Sequence, residues 1–285
     1  MELGVLSFAD MERYVSQPSS PKHAVPVRLV QLTDSHLFAS DDGKLLGLNT
    51  QDSLQRVVEL VMHERSDSID LILATGDLAQ DGSIDAYRRF DRLTTPLGAP
   101  LAWTVGNHDD ACVMRDASIG NRWVGPIVDI GTWRIVMLET AVPYEVYGAL
   151  SAEVLEMLDE ALSTADGRHV LLAMHHHPIA IDSAWMDQIG LQCPEALFDR
   201  VDHHDAVRAI IWGHVHQPID RSRGKVRLLA SPSTCVQFAP GSETFEVSEE
   251  APGYRWLNLY EDGSIDTGIS RLPEFSFELD YASGY

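Results

Sequence analysis

The sequence predicts an α/β fold, and three observations support that prediction. Apolar runs of strand length alternate with helical patterns through the first half of the 285-residue chain, as in folds whose strands are joined by helices. Beyond residue 169 strand-like runs follow one another with few helical patterns between them, so the second half is expected to be richer in β-structure. Hydrophobic residues make up 45% of the chain, which is enough for a substantial core.

The predicted elements begin after a Pro- and Ser-rich stretch that closes residues 1–26. We expect those residues to form an N-terminal arm, and residues 27–285 to form a single domain that includes the β-rich C-terminal part. The predicted strands cover 27–33, 70–75, 100–105, 133–139, 169–174, 207–212, 226–230, 254–260 and about 264–271. The predicted helices lie near 50–66 and 83–94, and a third begins at Ser151, after which apolar residues recur on one helical face.

The charge of the chain limits its partners. Forty-three acidic residues against 21 basic ones give a formal net charge of −22, which disfavours nucleic acid and anionic membrane surfaces. No segment approaches the ~20 consecutive apolar residues of a membrane helix. These observations favour a cytoplasmic protein. We further expect a small-molecule substrate and a monomer or a homodimer, which charge and hydropathy do not themselves decide.

The cysteines are three in number and widely spaced: Cys112, Cys193 and Cys235. Without a CxxC pair they argue against a disulfide framework and against a thiolate zinc site. We expect all three to be small buried side chains.

Five of the predicted strands run directly into short polar clusters. These clusters are "TDSH" (33–36), "GDLAQDG" (76–82), "GNHDD" (106–110), "HHHP" (175–178) and "GHVHQ" (213–217). Ligands of open α/β sheets bind beyond the carboxyl ends of the strands, so the five clusters are expected to converge on one site.

The spacing within the clusters suits a shared site. Asp34 and His36 are two residues apart, as are His214 and His216, and in extended backbone such pairs point to the same side. Glycines at 76, 106 and 213 each precede a candidate ligand, where the absence of a Cβ permits a tight bend and a close approach of backbone.

The candidate ligands offer carboxylate, amide and imidazole groups but no thiolate. This set suits Mn, Fe, Zn or Co. Seven such residues are too many for one tetrahedral ion and are about right for two ions that share a carboxylate, the usual arrangement for displacement at phosphorus.

The motifs D-x-H, G-D, G-N-H-D, H-H and G-H-x-H occur in this order between residues 33 and 217. They resemble those of the calcineurin-like metallophosphoesterase superfamily. The stretches "LTDSHLF", "ATGDLAQDGS" and "APGYRWLNLYEDG" are similar to the bacterial class III 3′,5′-cyclic AMP phosphodiesterases in particular. The resemblance implies a four-layer α/β/β/α sandwich with mixed sheets and a dinuclear metal site at the carboxyl ends of the strands.

The resemblance also implies roles for individual residues. The first metal would be held by Asp34, His36, Asp77 and His216, and the second by Asp77, Asn107, His175 and His214. Asp77 would bridge the two ions, and His108 would be the catalytic residue beside the substrate phosphate. The residues expected to bind substrate are His36, Asp77, Asn107, His108 and His216.

The implied reaction is hydrolysis of 3′,5′-cyclic AMP to 5′-AMP by a metal-activated hydroxide. Two divalent or mixed-valence ions are expected, Fe or Mn first, with Zn and Co left open. The alternative is a phosphodiesterase for another small ester, such as a glycerophosphodiester or a 2′,3′-cyclic nucleotide. A non-catalytic scaffold is disfavoured because all seven ligand positions are filled.

Four further side chains near the motifs receive expectations. His176 is expected to support the site from behind, and His177 to lie at the rim of the pocket, where it could touch substrate. Asn49 and Phe238 are the candidates for contacts with the nucleoside.

Overall fold

The computed structural model describes residues 25–65, 68–118 and 122–283. The α-helices in these ranges are α1 (Thr50–Glu64), α2 (Ile84–Thr94), α3 (Ala111–Ser118), α4 (Ala152–Ser163) and α5 (Glu195–His203). The strands are β1 (Val27–Leu32), β2 (Lys44–Leu45), β3 (Leu48–Asn49), β4 (Leu71–Ala74), β5 (Leu101–Trp103), β6 (Ile127–Ile130), β7 (Trp133–Met137), β8 (His169–Met174), β9 (Val207–Trp212), β10 (Ile219–Arg223), β11 (Val226–Ala230), β12 (Gln237–Phe238), β13 (Val247–Ser248), β14 (Gly253–Leu259) and β15 (Ile265–Arg271).

Two mixed sheets form the centre of the molecule. The first has the strand order β15-β14-β1-β4-β5, with β1, β4 and β5 parallel and β14 antiparallel to β1. The second has the order β10-β11-β9-β8-β7-β6, with four parallel strands flanked by antiparallel edge strands. In each sheet, therefore, neighbouring parallel strands end at the same edge.

The core has three parts: one between the two sheets and one between each sheet and the helices outside it. The molecule therefore has four layers. Side chains alternate across a strand, so Leu29 of β1 and Leu171 of β8 meet between the two sheets, while Val30 and Leu172 point outward. The outer face of the first sheet packs against α1 and α2, and that of the second against α4 and α5. This arrangement confirms the expected α/β/β/α sandwich.

Side chains cap two of the helices, one at a predicted position and one at a position that was not predicted. Ser151 caps α4 by accepting a hydrogen bond from the Val154 amide at 3.3 Å, as its position before the helical pattern predicts. The side-chain oxygen of Asn49 accepts one from the Asp52 amide at 2.8 Å and so caps α1.

The predicted strands and helices are all present, but α3, α5, the edge strands β6 and β10 and the two-residue strands β2, β3, β12 and β13 were not predicted. One cysteine prediction is confirmed and two are wrong: Cys235 is buried, whereas Cys112 and Cys193 are exposed. No helix in the described ranges has the length and apolarity needed to cross a bilayer. Most of the predicted N-terminal arm lies outside the described residues, so that boundary stays a prediction.

Candidate metal centre

The five polar clusters meet at one edge of the sandwich, where strands of both sheets end. Main-chain hydrogen bonds hold the clusters together: the Asp34 amide donates to the Gly76 carbonyl at 3.1 Å, and the Gly213 amide donates to the His175 carbonyl at 3.2 Å. The His214 amide donates to the Asp34 carboxylate at 3.0 Å, which ties the first sheet to the second. The predicted convergence is therefore observed.

One group of side chains gathers around Asp34. His216 Nε2 lies 3.3 Å from Asp34 Oδ1 and 3.2 Å from His36 Nε2. His36 Nε2 lies 3.9 Å from Asp77 Oδ2. All four residues are buried, so their polar atoms face one another and not bulk water.

A second group shares Asp77 with the first. His175 Nε2 lies 3.3 Å from Asp77 Oδ2 and 3.2 Å from Asn107 Oδ1. The ring of His214 is 5.0 Å from that of His175, centroid to centroid. Asp77 thus stands between the two groups, in the position expected of a bridging carboxylate.

Each of the four candidate imidazole ligands has its other ring nitrogen against an oxygen atom. The pairs are His36 Nδ1 with Gln80 Oε1 (2.6 Å), His175 Nδ1 with the Thr75 carbonyl (2.7 Å), His216 Nδ1 with the Val236 carbonyl (2.8 Å) and His214 Nε2 with the Ile189 carbonyl (3.1 Å). Donation to such an acceptor fixes the tautomer and the ring orientation, as in metal-bound histidines generally. The remaining nitrogen of each ring then offers a lone pair to the site.

These residues fit a pair of metal ions. Ligand atoms about 2.0–2.2 Å from a common ion lie roughly 3–3.6 Å from one another. The separations of His216 from Asp34 and His36, and of His175 from Asp77 and Asn107, are 3.2 to 3.3 Å and match that range, while the 3.9 Å between His36 and Asp77 is slightly longer. Buried nitrogen and oxygen lone pairs directed at one another are unfavourable unless a cation or protons lie between them.

The backbone at the site differs from the expected extended conformation. Five candidate ligands have left-handed φ angles: Asp34 (54°), His36 (46°), Asp77 (49°), His214 (64°) and His216 (46°). The prediction that the two pairs align through extended backbone is therefore wrong, although their side chains do meet. Because left-handed backbone costs a non-glycine residue ~1–2 kcal/mol, the surrounding hydrogen bonds must hold this strain in place.

The glycines that precede the ligands make the expected close approaches. A Cβ at Gly106 would overlap the Asp77 carboxylate, and one at Gly213 would lie 2.7 Å from the carboxylate of Asp34. A Cβ at Gly76 would lie 2.5 Å from the His175 ring. At each of these positions, any residue other than glycine would place its Cβ in the space that a candidate ligand occupies.

Burial and charge set the protonation of the site. Burial lowers the pKa of His36 to about 3 and holds that of His214 well below its ordinary value, so these rings are neutral and able to coordinate. Burial alone would raise the pKa of Asp77, but His175 and His108 outweigh it and keep this carboxyl ionised. Burial would lower the pKa of His175, but Asp77 and Asp34 raise it to about 9, which reflects the negative potential that a cation would meet there.

His108 lies beside the two groups of candidate ligands and lines an open groove. Its amide donates to Asp77 Oδ1 at 2.9 Å, and its ring meets that of His36 edge to face at 5.0 Å. The groove has a volume of about 630 Å³, and Asn107, His108 and Tyr144 are among its lining residues. A phosphate ester entering the groove would reach Asn107 and His108 together.

Asp109, the fourth residue of G-N-H-D, is a structural residue of the site that sequence reasoning missed. Its carboxylate accepts hydrogen bonds from the amides of Gly106 at 2.9 Å and Ala79 at 3.0 Å, which ties the segment after β4 to the segment after β5. Burial and the nearby Asp77 raise its pKa to about 6. Its position in the G-N-H-D motif could have indicated a role in the site.

The two histidines after His175 are both buried. His176 Nδ1 lies 2.8 Å from the Thr140 hydroxyl, and its ring packs against those of His175 and His214, which agrees with the expected supporting position. The His177 side chain is 2% exposed and stacks on His214 at 5.7 Å. The prediction that His177 lies at the pocket rim is therefore wrong.

The two candidates for nucleoside contacts have other contacts. Phe238 is 1% exposed and lies behind His216, so it cannot present its ring to a substrate. Asn49 uses its side chain to cap α1 and to donate to the Asp41 carbonyl at 3.1 Å. The nucleoside must be sought elsewhere.

Two mixed sheets that bring Asp, Asn and His to a shared edge define the fold and site of a metal-dependent phosphoesterase. Residues 27–218 match the Calcineurin-like phosphoesterase family, and this chain belongs to that family. Such enzymes use a dinuclear metal centre.

Curated relatives cover almost the whole chain. It is 51% identical, over 96% of its length and 100% of the relative's, to a 3′,5′-cyclic adenosine monophosphate phosphodiesterase CpdA of Pseudomonas aeruginosa. It is 41% identical to the CpdA of Escherichia coli (strain K12), over 91% of this chain and 95% of that one. Among solved structures, a dimetal phosphatase from Danio rerio shares the fold, with a TM-score of 0.60 and 17% identity over 86% of this chain and 99% of that one.

Proposed function

We propose that this protein hydrolyses 3′,5′-cyclic AMP to 5′-AMP at a dinuclear centre. The observation that carries the proposal is the pair of donor groups that share Asp77 beside an open groove. Similarity to the cyclic AMP phosphodiesterases of Pseudomonas aeruginosa and Escherichia coli, over more than nine-tenths of this chain, supports cyclic AMP as the substrate.

The proposed ligand sets follow the two groups of side chains. Asp34, His36, Asp77 and His216 would hold the first ion, and Asp77, Asn107, His175 and His214 the second. When bound, two such ions polarise phosphoryl oxygens and lower the pKa of a water molecule so that hydroxide is available near neutral pH. The donors are oxygen and imidazole with no thiolate, a set that suits Fe, Mn, Zn and Co; Fe and Mn are the first proposed ions, with Zn and Co left open.

His108 is the proposed general acid. Its imidazole lines the groove without a place in either ligand set. When the bond between phosphorus and the ribose 3′ oxygen breaks, that oxygen gains negative charge, and a proton from His108 would neutralise it. The phosphate would lie against four of the proposed metal ligands, which are also the other proposed substrate-binding residues: His36, Asp77, Asn107 and His216.

The remaining proposals concern setting and assembly. The substrate is a small molecule, and the net charge of −22 would repel nucleic acid from most of the surface. We place the enzyme in the cytoplasm as a monomer or a homodimer.

A substrate panel on protein of measured metal content tests the proposal. The panel compares 3′,5′-cyclic AMP with 2′,3′-cyclic AMP and a glycerophosphodiester, because the metal centre itself recognises little beyond phosphate. We expect the largest kcat/KM for 3′,5′-cyclic AMP and 5′-AMP as the product. If 3′,5′-cyclic AMP is the poorest of the three on fully loaded enzyme, the proposal is wrong and the other small esters become the substrate class.

A further inference from the structure

We propose that the nucleobase of the cyclic nucleotide binds in a side cavity that opens from the groove between β5, α3 and α4. This inference rests on the proposed function and adds a specificity site to it. The cavity has a volume of about 260 Å³. Three residues line both the cavity and the groove, namely Val105, Ala111 and Glu139, so the two spaces adjoin each other.

The cavity begins close to the metal centre. Trp103, Thr104 and Val105 form one wall, and the same segment continues through Gly106 to the proposed ligand Asn107. Two residues of extended chain span at most ~7 Å, which is the scale of the ribose ring that separates a cyclic phosphate from its base. With the phosphate at Asn107, the base therefore falls at the mouth of the cavity.

The walls suit a flat aromatic ring. They include Trp103, Trp123, Met114, Met137 and Met157. Indole rings stack on nucleobases, and thioethers make favourable contacts with the edges of aromatic rings. A dry apolar cavity of about 150 Å³ takes up a benzene ring, so 260 Å³ accommodates a bicyclic purine.

The polar groups at the cavity favour a neutral heterocycle over a second phosphate. Glu139 lies where the cavity joins the groove, and Thr104, Arg115 and Ser118 also line the cavity. The negative charge of Glu139 at this junction would repel a second anion from the cavity. A base offers N–H donors to the carboxylate and ring nitrogens to the hydroxyl and guanidinium groups.

Two variants of opposite kind test the subsite. Met157→Trp on α4 fills the cavity, and Trp123→Ala removes an aromatic wall at a residue that is 37% exposed. Met62→Trp, at an exposed position of α1 in the opposite layer, is the matched control. The substrates are 3′,5′-cyclic AMP and a 3′,5′-cyclic ribose phosphate that lacks the base, and adenosine binding is measured separately by calorimetry.

Loss of the base contacts should raise the KM for cyclic AMP about tenfold or more in both cavity variants. The values for the baseless substrate should be unchanged, and adenosine binding should weaken by a similar factor. If Met157→Trp does not fold, Trp123→Ala carries the test alone.

Failure of the base subsite and failure of the proposed function would give different results. Equal effects on both substrates, or no effect on either, would overturn the subsite while cyclic AMP remained a substrate. No turnover of cyclic AMP by the metal-loaded wild-type enzyme would instead overturn the proposed function, on which the subsite depends.

Discussion

Phe238 lies flat against the imidazole of His216, with ring centroids 4.1 Å apart and an angle of 7° between the planes. Trp185 and Phe245 in turn meet Phe238 edge to face, at 5.2 and 5.5 Å. Together with the hydrogen bond from His216 Nδ1 to the Val236 carbonyl, the stack fixes the plane of the ring. A side chain that cannot touch substrate therefore positions a proposed metal ligand.

Phe238→Leu should weaken metal binding without changing substrate affinity. Leucine keeps the site apolar but leaves the His216 ring less well oriented, and loss of such support costs metal affinity roughly 10- to 100-fold. Metal dissociation constants, measured by competition with a chelator, check this. Phe90→Leu, in the buried face of α2, should cost similar stability and leave metal affinity unchanged; equal losses in both variants would assign Phe238 to packing alone.

His175 and His177 should respond differently to substitution. His175→Ala removes a ring whose Nε2 faces Asp77 and Asn107, so we expect loss of one of the two ions and a fall in kcat of more than about 100-fold. His177→Ala should retain both ions, since its ring packs behind His214. Elemental analysis of the metal content of the two variants tests this difference. Loss of metal from His177→Ala but not from His175→Ala would mean that His177, and not His175, is the ligand in this motif.

His108→Ala should separate chemistry from metal binding. Removal of a general acid typically costs 10²- to 10⁴-fold in rate, while both ligand sets stay complete. We expect kcat to fall by about that factor with metal content unchanged. A cyclic phosphodiester with a more acidic leaving group should recover most of the lost rate. Loss of metal from this variant would show that His108 is a ligand.

Gly106→Ala should disrupt the site through its shape. The new Cβ would overlap the Asp77 carboxylate, so the bridging side chain must move, and overpacking of this kind costs about 1–3 kcal/mol. Gly224→Ala, at a turn with φ of 58° and nothing within 4 Å of its Cβ, is a control that costs about 1–2 kcal/mol through backbone strain alone. Metal content and the urea midpoint of unfolding distinguish the two. Full metal occupancy in Gly106→Ala would contradict the close approach.

The metal-free protein should lose stability in mild acid. Burial lowers the pKa of His177 to about 4, whereas in the unfolded chain histidine titrates near 6.5. Between these values the unfolded state binds the extra proton, so the free energy of unfolding falls by up to about 1.4 kcal/mol per pH unit as pH drops from 6.5 towards 4. The contribution is fully present above pH 6.5.

His177→Gln cannot take up this proton and tests the assignment. Its urea unfolding free energy should depend less steeply on pH between 6.5 and 4 than that of the wild type, both measured in the presence of chelator. His36, with a pKa lowered by burial to about 3, leaves a residual slope in both proteins. Identical slopes would place the titration elsewhere.

The sequence predicted the fold well where patterns were long. The six-residue strands β1, β8 and β9 are apolar runs of strand length, and the 15-residue helix α1 repeats apolar residues on one face, so each could be recognised from its own residues. Helix α5 was missed because its nine residues include five charged or histidine side chains, and only three of the nine are buried. Its pattern is too short to distinguish from a surface loop.

The site was predictable in its residue types but not in its geometry. The resemblance implied ligand roles for Asp77 and His175, and the structure places the two side chains 3.3 Å apart in one buried group. The carbonyl oxygens of Thr75, Val236 and Ile189 that orient the rings leave no trace in the sequence, since every residue carries a carbonyl. The burial of His177 depended on the segment around Asp187 and Gly190 folding over it, a tertiary contact that no local pattern encodes.

The donors of the centre come from both halves of the sandwich. Asp34, Asp77 and Asn107 follow strands of the first sheet, while His175 and His214 follow strands of the second. A pair of ions held among them would join the two sheets at this edge, in addition to the apolar contacts between the sheets and hydrogen bonds such as that from the His214 amide to the Asp34 carboxylate. We therefore expect removal of the ions to weaken the packing of the two sheets as well as activity, so that metal supply would contribute to the stability of the whole domain.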